Sequence, residues 1–127
     1  MIDHVSVAVR DIAKSAEFYE RVLAPLGLVK IVDRGVSVGF GKVYPELWLN
    51  LREGLETVSQ STGIHIALRA RSEDAVREFY ATALKLGGRD AGAPGPRQAA
   101  LTTYFGAFIF DLDGNKIEAL NFPRAPQ

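Results

Sequence analysis

The chain contains the same short sequence unit twice, and this repeat limits the folds that are open to it. Residues 3–19 read DHVSVAVRDIAKSAEFY and residues 63–80 read GIHIALRARSEDAVREFY, and the two stretches align without a gap at an offset of 61. Two copies of one unit predict a duplicated module rather than a long repeat array. Both copies carry the same residue at five pairs of positions: His4 and His65, Arg10 and Arg71, Glu17 and Glu78, Phe18 and Phe79, and Tyr19 and Tyr80.

Each copy begins with a strand pattern and continues with a helix pattern. In residues 4–9, valines alternate with small or polar residues, which is the period of two expected of a strand. Asp11 predicts the N-cap of a first helix over 12–23, and Ser72 predicts the N-cap of a second helix that ends near Leu86, before two glycines. Further strands are predicted at 29–33, 36–40 and 46–51 in the first copy, and at 89–91, 103–111 and 115–122 in the second.

Two connections in the second copy carry Gly, Pro or Asp-Gly signals. Residues 91–100, AGAPGPRQAA, predict a loop that is a candidate lid, and Arg97 within it is expected to be solvated, with a substrate anion as the alternative contact. Residues 111–115, DLDGN, predict a hairpin turn in which Asp-Gly supplies the positive φ angles.

The resulting fold class is α+β, with two βαβββ modules in a single domain over residues 1–127. Module one is expected at about 1–55 and module two at about 62–123. One such module is too small to bury both faces of its sheet, so helices cover one face of a curved mixed sheet and the other face forms a cup. The alternation in each first strand turns His4 and His65 toward the cup, and the pseudo-symmetry of the duplication brings them toward each other.

Two histidines that face one cavity suggest a metal site. Glu118 lies between apolar neighbours in a predicted strand, and a buried carboxylate is costly unless a cation or donor accompanies it. His4, His65 and Glu118 therefore form a candidate site of two histidines and one carboxylate, suited to divalent Fe, Mn, Ni or Zn. Such a site leaves positions at which a substrate oxygen can bind, and Glu118 is the candidate catalytic residue.

Composition excludes several other classes of function. Lys plus Arg number 15 and Asp plus Glu number 15, so no net charge draws the chain to nucleic acid or to an anionic membrane. The N-terminus does not have the pattern of a signal peptide, and no apolar run is long enough to span a bilayer. The absence of cysteine excludes disulfides and thiolate zinc sites, and a cytoplasmic location is expected.

The whole chain resembles the vicinal oxygen chelate superfamily, which includes glyoxalase I, extradiol dioxygenases and the bleomycin- and fosfomycin-resistance proteins. The resemblance is carried by DHVSVAVRDIAKSAEFYERVLAPLGL at 3–28, GIHIALRA at 63–70 and DLDGNKIEAL at 111–120. It implies paired βαβββ modules, a cup, a divalent metal on His4, His65 and Glu118, a small-molecule substrate and a homodimer.

The chain departs from the glyoxalase pattern at the last strand of module one. Glyoxalase-like members carry a fourth ligand there, and pseudo-symmetry with Glu118 places that position at Trp48, which cannot bind a metal. Asn50 on the same strand face offers only a weak ligand, so Trp48 and Asn50 are expected to contact substrate. With one carboxylate in reach, the proton transfer of glyoxalase I, which resembles a task for two bases, is not favoured.

The expected activity is that of a lyase, isomerase or dioxygenase on a small oxygenated compound, related to lactoylglutathione lyases. Tyr104, Phe108 and Arg69 are further candidates for contact with the substrate. The alternative is a metal-free ligand- or drug-binding protein of the bleomycin-resistance type, in which Trp48 would line an aromatic cup.

Overall fold

The computed structural model describes residues 1–59 and 62–123, and each half of the chain forms one strand, one helix and three further strands. This is the α+β fold of two βαβββ modules that the repeat predicts. The elements of the first half are β1 (Val5–Val9), α1 (Ile12–Leu23), a short 3-10 helix (Ala24–Leu26), β2 (Val29–Asp33), β3 (Ser37–Gly41) and β4 (Leu47–Leu51). Those of the second half are β5 (Ile66–Arg69), α2 (Glu73–Lys85), β6 (Arg89–Gln98), β7 (Thr103–Phe110) and β8 (Lys116–Asn121).

Each module builds its own four-stranded mixed sheet, with the strand orders β1-β4-β3-β2 and β5-β8-β7-β6. In both sheets the first strand pairs in parallel with the last, while the remaining pairs are antiparallel. The first strand is therefore an edge strand in each module. His4 and His65 are the residues that immediately precede these two edge strands.

The apolar faces of both sheets pack against the helices in one core. In the first module Val7 and Val9 of β1 are buried, and α1 contributes Phe18, Tyr19 and Val22 to the same cluster. This confirms that the valine face of β1 meets the helices and that the alternate positions face away from them. The second module adds Val76, Phe79 and Ala83 from α2, and Ala107, Ile109, Ile117 and Ala119 from its strands.

Both helices start and stop as their sequences predict. The side chains of Asp11 and Ser72 accept hydrogen bonds from the backbone N–H groups of Lys14 and Ala75, each at 3.1 Å. Helix α2 ends before Gly87, whose φ of 99° is in the left-handed region that glycine favours. Within the described residues, no helix is long and apolar enough to span a bilayer.

The prediction of a loop at 91–100 was wrong, because most of that segment belongs to the ten-residue strand β6. β6 is an edge strand, and an edge strand tolerates proline because a missing backbone N–H on its outer side breaks no hydrogen bond to a neighbouring strand. Its pairing with β7 shifts register between Asp90 and Gly92 and again between Gly92 and Gly95, so local irregularities accommodate the Gly- and Pro-rich sequence.

The turn between β7 and β8 differs in detail from the prediction. Gly114 has a φ of 94°, whereas Asp113 does not have a positive φ. The Asp111 side chain closes the turn instead, because its Oδ1 accepts hydrogen bonds from the backbone N–H groups of Asp113 and Asn115 at 2.9 and 2.8 Å.

This same turn fastens the second module to the first through buried polar side chains. The Tyr19 hydroxyl donates a hydrogen bond to Asp111 Oδ2 at 2.5 Å, and Arg10 Nε donates to Asp113 Oδ1 at 2.9 Å. Asn115 donates to the backbone carbonyl of Ala8 at 2.9 Å. Burial, followed by the neighbouring Asp111 carboxylate, raises the pKa of Tyr19 well above its ordinary value. The two modules are therefore joined by polar contacts as well as by the shared core.

Candidate metal and substrate site

Module two brings His65 and Glu118 into direct contact. Strands β5 and β8 are parallel neighbours with Ala67 opposite Glu118, so His65, two residues before Ala67, lies on the same face as the carboxylate. The distance between His65 Nε2 and Glu118 Oε1 is 3.2 Å. Glu118 is only 3% exposed, whereas the His65 side chain is 40% exposed. The histidine therefore connects a buried carboxylate to solvent.

The second oxygen of Glu118 has no hydrogen-bond partner among the described residues. A Cβ added at Gly106 would lie 3.2 Å from this Oε2 and 2.8 Å from Cε2 of Tyr104, so the glycine makes room for both side chains. A buried carboxylate oxygen without a partner is unfavourable by about 1–3 kcal/mol. Such an atom is normally matched by a donor or a cation.

Tyr104 lies beside this carboxylate. Burial raises the pKa of Tyr104, the proximity of Glu118 raises it further, and Arg97 acts in the opposite direction. Side-chain contact with Glu118, and not only its charge, contributes to this rise in the pKa of Tyr104. Even so, Oε2 has no hydrogen bond of good geometry within the described structure, so Tyr104 does not supply a well-aligned donor for it.

His4 lies apart from the pair, on the same cavity as His65. Its Nδ1 is 2.7 Å from Asp3 Oδ1, so Nε2 is the ring nitrogen that does not contact Asp3. The His4 side chain is 52% exposed. A cavity of about 390 Å³ is lined by both histidines together with Glu46 and residues of β1 and β5. Among residues 1–59 and 62–123, no three His, Cys, Asp or Glu side chains stand close enough together to hold a metal ion. The ligand set of His4, His65 and Glu118 stays a prediction.

Trp48 occupies the position in module one that Glu118 occupies in module two. Ser6 is opposite Trp48 in the first module and Ala67 is opposite Glu118 in the second, and Ser6 and Ala67 are repeat partners at the offset of 61. The indole covers Gly39, where an added Cβ would lie 3.2 Å from the ring. The Arg34 guanidinium stands 5.3 Å from the Trp48 ring centroid.

The other candidate substrate contacts of module two, Arg69 and Phe108, share the face of the second sheet that carries Glu118. Phe108 faces His65, with an edge-on contact of 5.4 Å between ring centroids. Arg69 stands 5.3 Å from the ring centroid of Phe122, which in turn contacts Tyr104. Asn50 follows Trp48 on the same face of β4. Phe105, in contrast to Tyr104 and Phe108, packs against the helix-side core.

Sequence reasoning missed Lys116 and gave Arg97 little weight. Lys116 Nζ is 4.9 Å and the Arg97 guanidinium 5.7 Å from the ring centroid of Phe108. The signal for Lys116 was its place two residues before Glu118 in β8, since alternate residues of a strand share a face. For Arg97 there was no such signal, because its segment was interpreted as a loop.

This duplicated fold and its site have clear counterparts among known proteins. A family model described as the Glyoxalase/Bleomycin resistance protein/Dioxygenase superfamily matches residues 1–119. The chain belongs to this superfamily. A search of curated proteins finds no significant match. Many members of the superfamily use a divalent metal, and its proteins act on small-molecule substrates and commonly form dimers.

Solved structures agree with this assignment. A glyoxalase/bleomycin resistance protein from Albidiferax ferrireducens is 27% identical with a TM-score of 0.85, over 96% of this chain and 99% of that one. A glyoxalase/bleomycin resistance protein/dioxygenase family enzyme from Burkholderia phytofirmans has a TM-score of 0.70 at 18% identity, over 94% and 96% of the two chains. The fosfomycin resistance protein FosX from Listeria monocytogenes has a TM-score of 0.68 at 17% identity, over 97% and 93%. At these low identities, the similarities to the Burkholderia and Listeria proteins show a shared fold only.

Proposed function

We propose that this superfamily member is a metal-dependent enzyme that acts on a small oxygenated compound, with His4, His65 and Glu118 as the metal ligands. The observation that carries the proposal is the buried Glu118 Oε2, which has no partner among the described residues and adjoins an imidazole. Imidazole nitrogen and carboxylate oxygen are a donor set that divalent Fe, Mn, Ni and Zn accept. These residues fit a divalent metal by their types, by the burial of Glu118 and by its unsatisfied acceptor oxygen.

His4 fits the role of third ligand through its environment. Its contact with Asp3 resembles the carboxylate contact that orients many metal-binding histidines and directs the other ring nitrogen to the metal. Its half-exposed ring can turn within the cavity that it shares with His65. The proposal includes a homodimer in the cytoplasm, with the cup closed either within one chain or by a second copy.

The chemistry that the metal supplies is polarisation of a substrate oxygen. Glu118 holds the buried end of the site, and Tyr104 beside it keeps its proton more strongly than an ordinary tyrosine. Trp48 stands where a second carboxylate would serve proton transfer between two carbons, which disfavours glyoxalase I chemistry. The reaction types that remain are those of a lyase, a dioxygenase or an isomerase that needs one carboxylate.

Metal analysis of protein purified without a histidine tag tests the proposal. We expect close to one equivalent of Fe, Mn, Ni or Zn per chain in the wild type after loading, and a rise in melting temperature with that ion. His4→Ala and Glu118→Gln should lose both effects, and Glu53→Gln, which alters an exposed carboxylate, should keep them. Absence of stoichiometric metal together with no thermal shift from any of the four ions would contradict the proposal.

A second candidate is a metal-free ligand-binding protein of the bleomycin-resistance type. It is favoured by Trp48, the only tryptophan, which is partly exposed on the face opposite the core and carries Arg34 over its ring. Flat apolar ligands suit such a surface. Quenching of Trp48 fluorescence by a ligand, equal in the presence and absence of chelator and unaffected by Glu118→Gln, would support this candidate over the enzyme.

A further inference from the structure

The Phe108 ring is flanked by two cations that form no ion pair with a carboxylate in the described part of the chain. We infer that Arg97 and Lys116 form a subsite for an oxyanion of the substrate, a carboxylate, phosphate or phosphonate group. The inference rests on the proposed function, because it names the class of compound that the site takes. Phe108 lies in β7, and Arg97 and Lys116 reach its ring from the neighbouring strands β6 and β8.

The two cations are held in place by contacts that leave their charge available. Arg97 donates one hydrogen bond from Nη2 to the backbone carbonyl of Ala93 at 2.6 Å, and both cations rest on the ring face of Phe108. Neither Arg97 nor Lys116 forms an ion pair with any residue of 1–59 or 62–123. Arg77 on α2 differs in this respect, since it pairs with Glu73 and Asp74.

The local charge is positive although the chain as a whole is neutral. Arg69 adds a third cation near Tyr104, over the ring of Phe122, and it also has no ion pair in the described structure. Glu118 is the buried carboxylate of this face, and within the described structure it contacts His65 at 3.2 Å rather than Arg97 or Lys116. Arg97 and Lys116 lie within 5.7 and 4.9 Å of one ring centroid, and the positive potential of two such neighbouring cations attracts small anions.

The subsite adjoins the proposed metal ligands through Phe108. The Phe108 ring contacts His65, and His65 contacts Glu118 at 3.2 Å. One small molecule can therefore place an oxygen near these ligands and an anionic group near Arg97 and Lys116. The substrate class that follows is a small oxygenated acid, in which an oxyanion lies close to the oxygen that is activated.

The test is an NMR titration of ¹⁵N-labelled, EDTA-treated protein with sodium methylphosphonate, sodium phosphate and sodium acetate at constant ionic strength. We expect saturable shifts of the amides of Arg97, Phe108 and Lys116 with at least one of these anions, and the three arms distinguish carboxylate from phosphorus oxyanions. The double variant Arg97→Gln with Lys116→Gln should weaken binding by about tenfold or more, since hydrogen bonds to charged groups contribute about 1.5–3 kcal/mol. The matched control, Arg77→Gln with Lys85→Gln, removes the same charge from α2 and should change the affinity by less than about twofold.

Several outcomes would overturn the subsite. These are shifts that do not saturate, equal shifts with sodium chloride, or equal loss of binding in the control double variant. Lys116→Gln alone replaces the double variant if the amide spectrum of the latter shows that it does not fold. Calorimetry with divalent Fe, Mn, Ni and Zn in turn separates the two proposals. Anion binding without binding of any of the four ions overturns the proposed enzyme and keeps the subsite, whereas metal binding without anion binding does the reverse.

Discussion

Replacing Tyr19 with phenylalanine should weaken the joint between the two modules by a measurable amount. Tyr19 is 0% exposed and donates its hydroxyl hydrogen to Asp111, which is itself only 3% exposed. A hydrogen bond to a charged group contributes about 1.5–3 kcal/mol, and Asp111 Oδ2 keeps a second donor, Asn115 Nδ2, at 2.9 Å. We therefore expect Tyr19→Phe to lower the free energy of unfolding by about 2 kcal/mol at pH 7.

The same residue predicts a loss of stability in alkali. The folded state raises the pKa of Tyr19 above the value of about 10 that it has when unfolded, so the unfolded chain loses this proton first. Its contribution to stability is complete below pH 10 and declines as the pH rises from there toward the folded pKa. The full slope for one such group is about 1.4 kcal/mol per pH unit, and Tyr19→Phe should remove that part of it.

The repeat supplies a matched control in Tyr80, the partner of Tyr19 in the second module. Tyr80 donates to Asp90 Oδ1 at 3.0 Å near the surface, so Tyr80→Phe should cost only about 0.5 kcal/mol. Urea denaturation at pH 7 and at several values between 9 and 11 measures both effects. If Tyr19→Phe costs no more than Tyr80→Phe, or leaves the alkaline slope unchanged, the account of the buried joint is wrong.

Three further changes test other parts of the structure. Gly41→Ala places a Cβ 1.9 Å from the carbonyl oxygen of Tyr44, so thermal denaturation should show a loss of about 2 kcal/mol or more, whereas Gly54→Ala, with open space around it, should stay within about 0.5 kcal/mol. Asp113→Ala removes the buried partner of Arg10 and should cost about 2 kcal/mol by urea denaturation; a wild-type midpoint would contradict this. Adding EDTA to metal-loaded wild type should lower its melting temperature to that of the metal-free protein, while the melting temperature of Glu118→Gln should not respond to EDTA.

The repeat was sufficient to predict the fold because both copies agree in their hydrophobic pattern and in the residues that begin and end their helices. Helix α1 and strand β2 have the predicted bounds, and the Asp11 and Ser72 caps form as expected. The β6 segment was misassigned because proline and glycine indicate a loop only on average. An edge strand tolerates both, and edge position depends on a strand order that single segments do not reveal.

The candidate site was predictable only where one face of a strand could be read directly. Alternation placed Glu118 on the face opposite Ile117, and the parallel register with β5 then brought it to His65. The position of His4 depends on how two separate sheets approach each other, and no local pattern contains that information. Phe105 shows a related limit. It packs against the core, but the sequence alone does not indicate which aromatic residue of β7 faces the core and which faces the site.

The two modules differ in which strand carries the large side chain at one matched pair of positions. Where module two sets the large Phe108 opposite the acidic Glu118, module one sets Gly39 opposite the large Trp48. A Trp48→Glu change alone would uncover the bare glycine backbone and leave a hollow beneath the new acid. An acidic side chain at position 48 would therefore need a second, space-filling substitution nearby, so the matched positions of the two modules cannot be made alike by a single change.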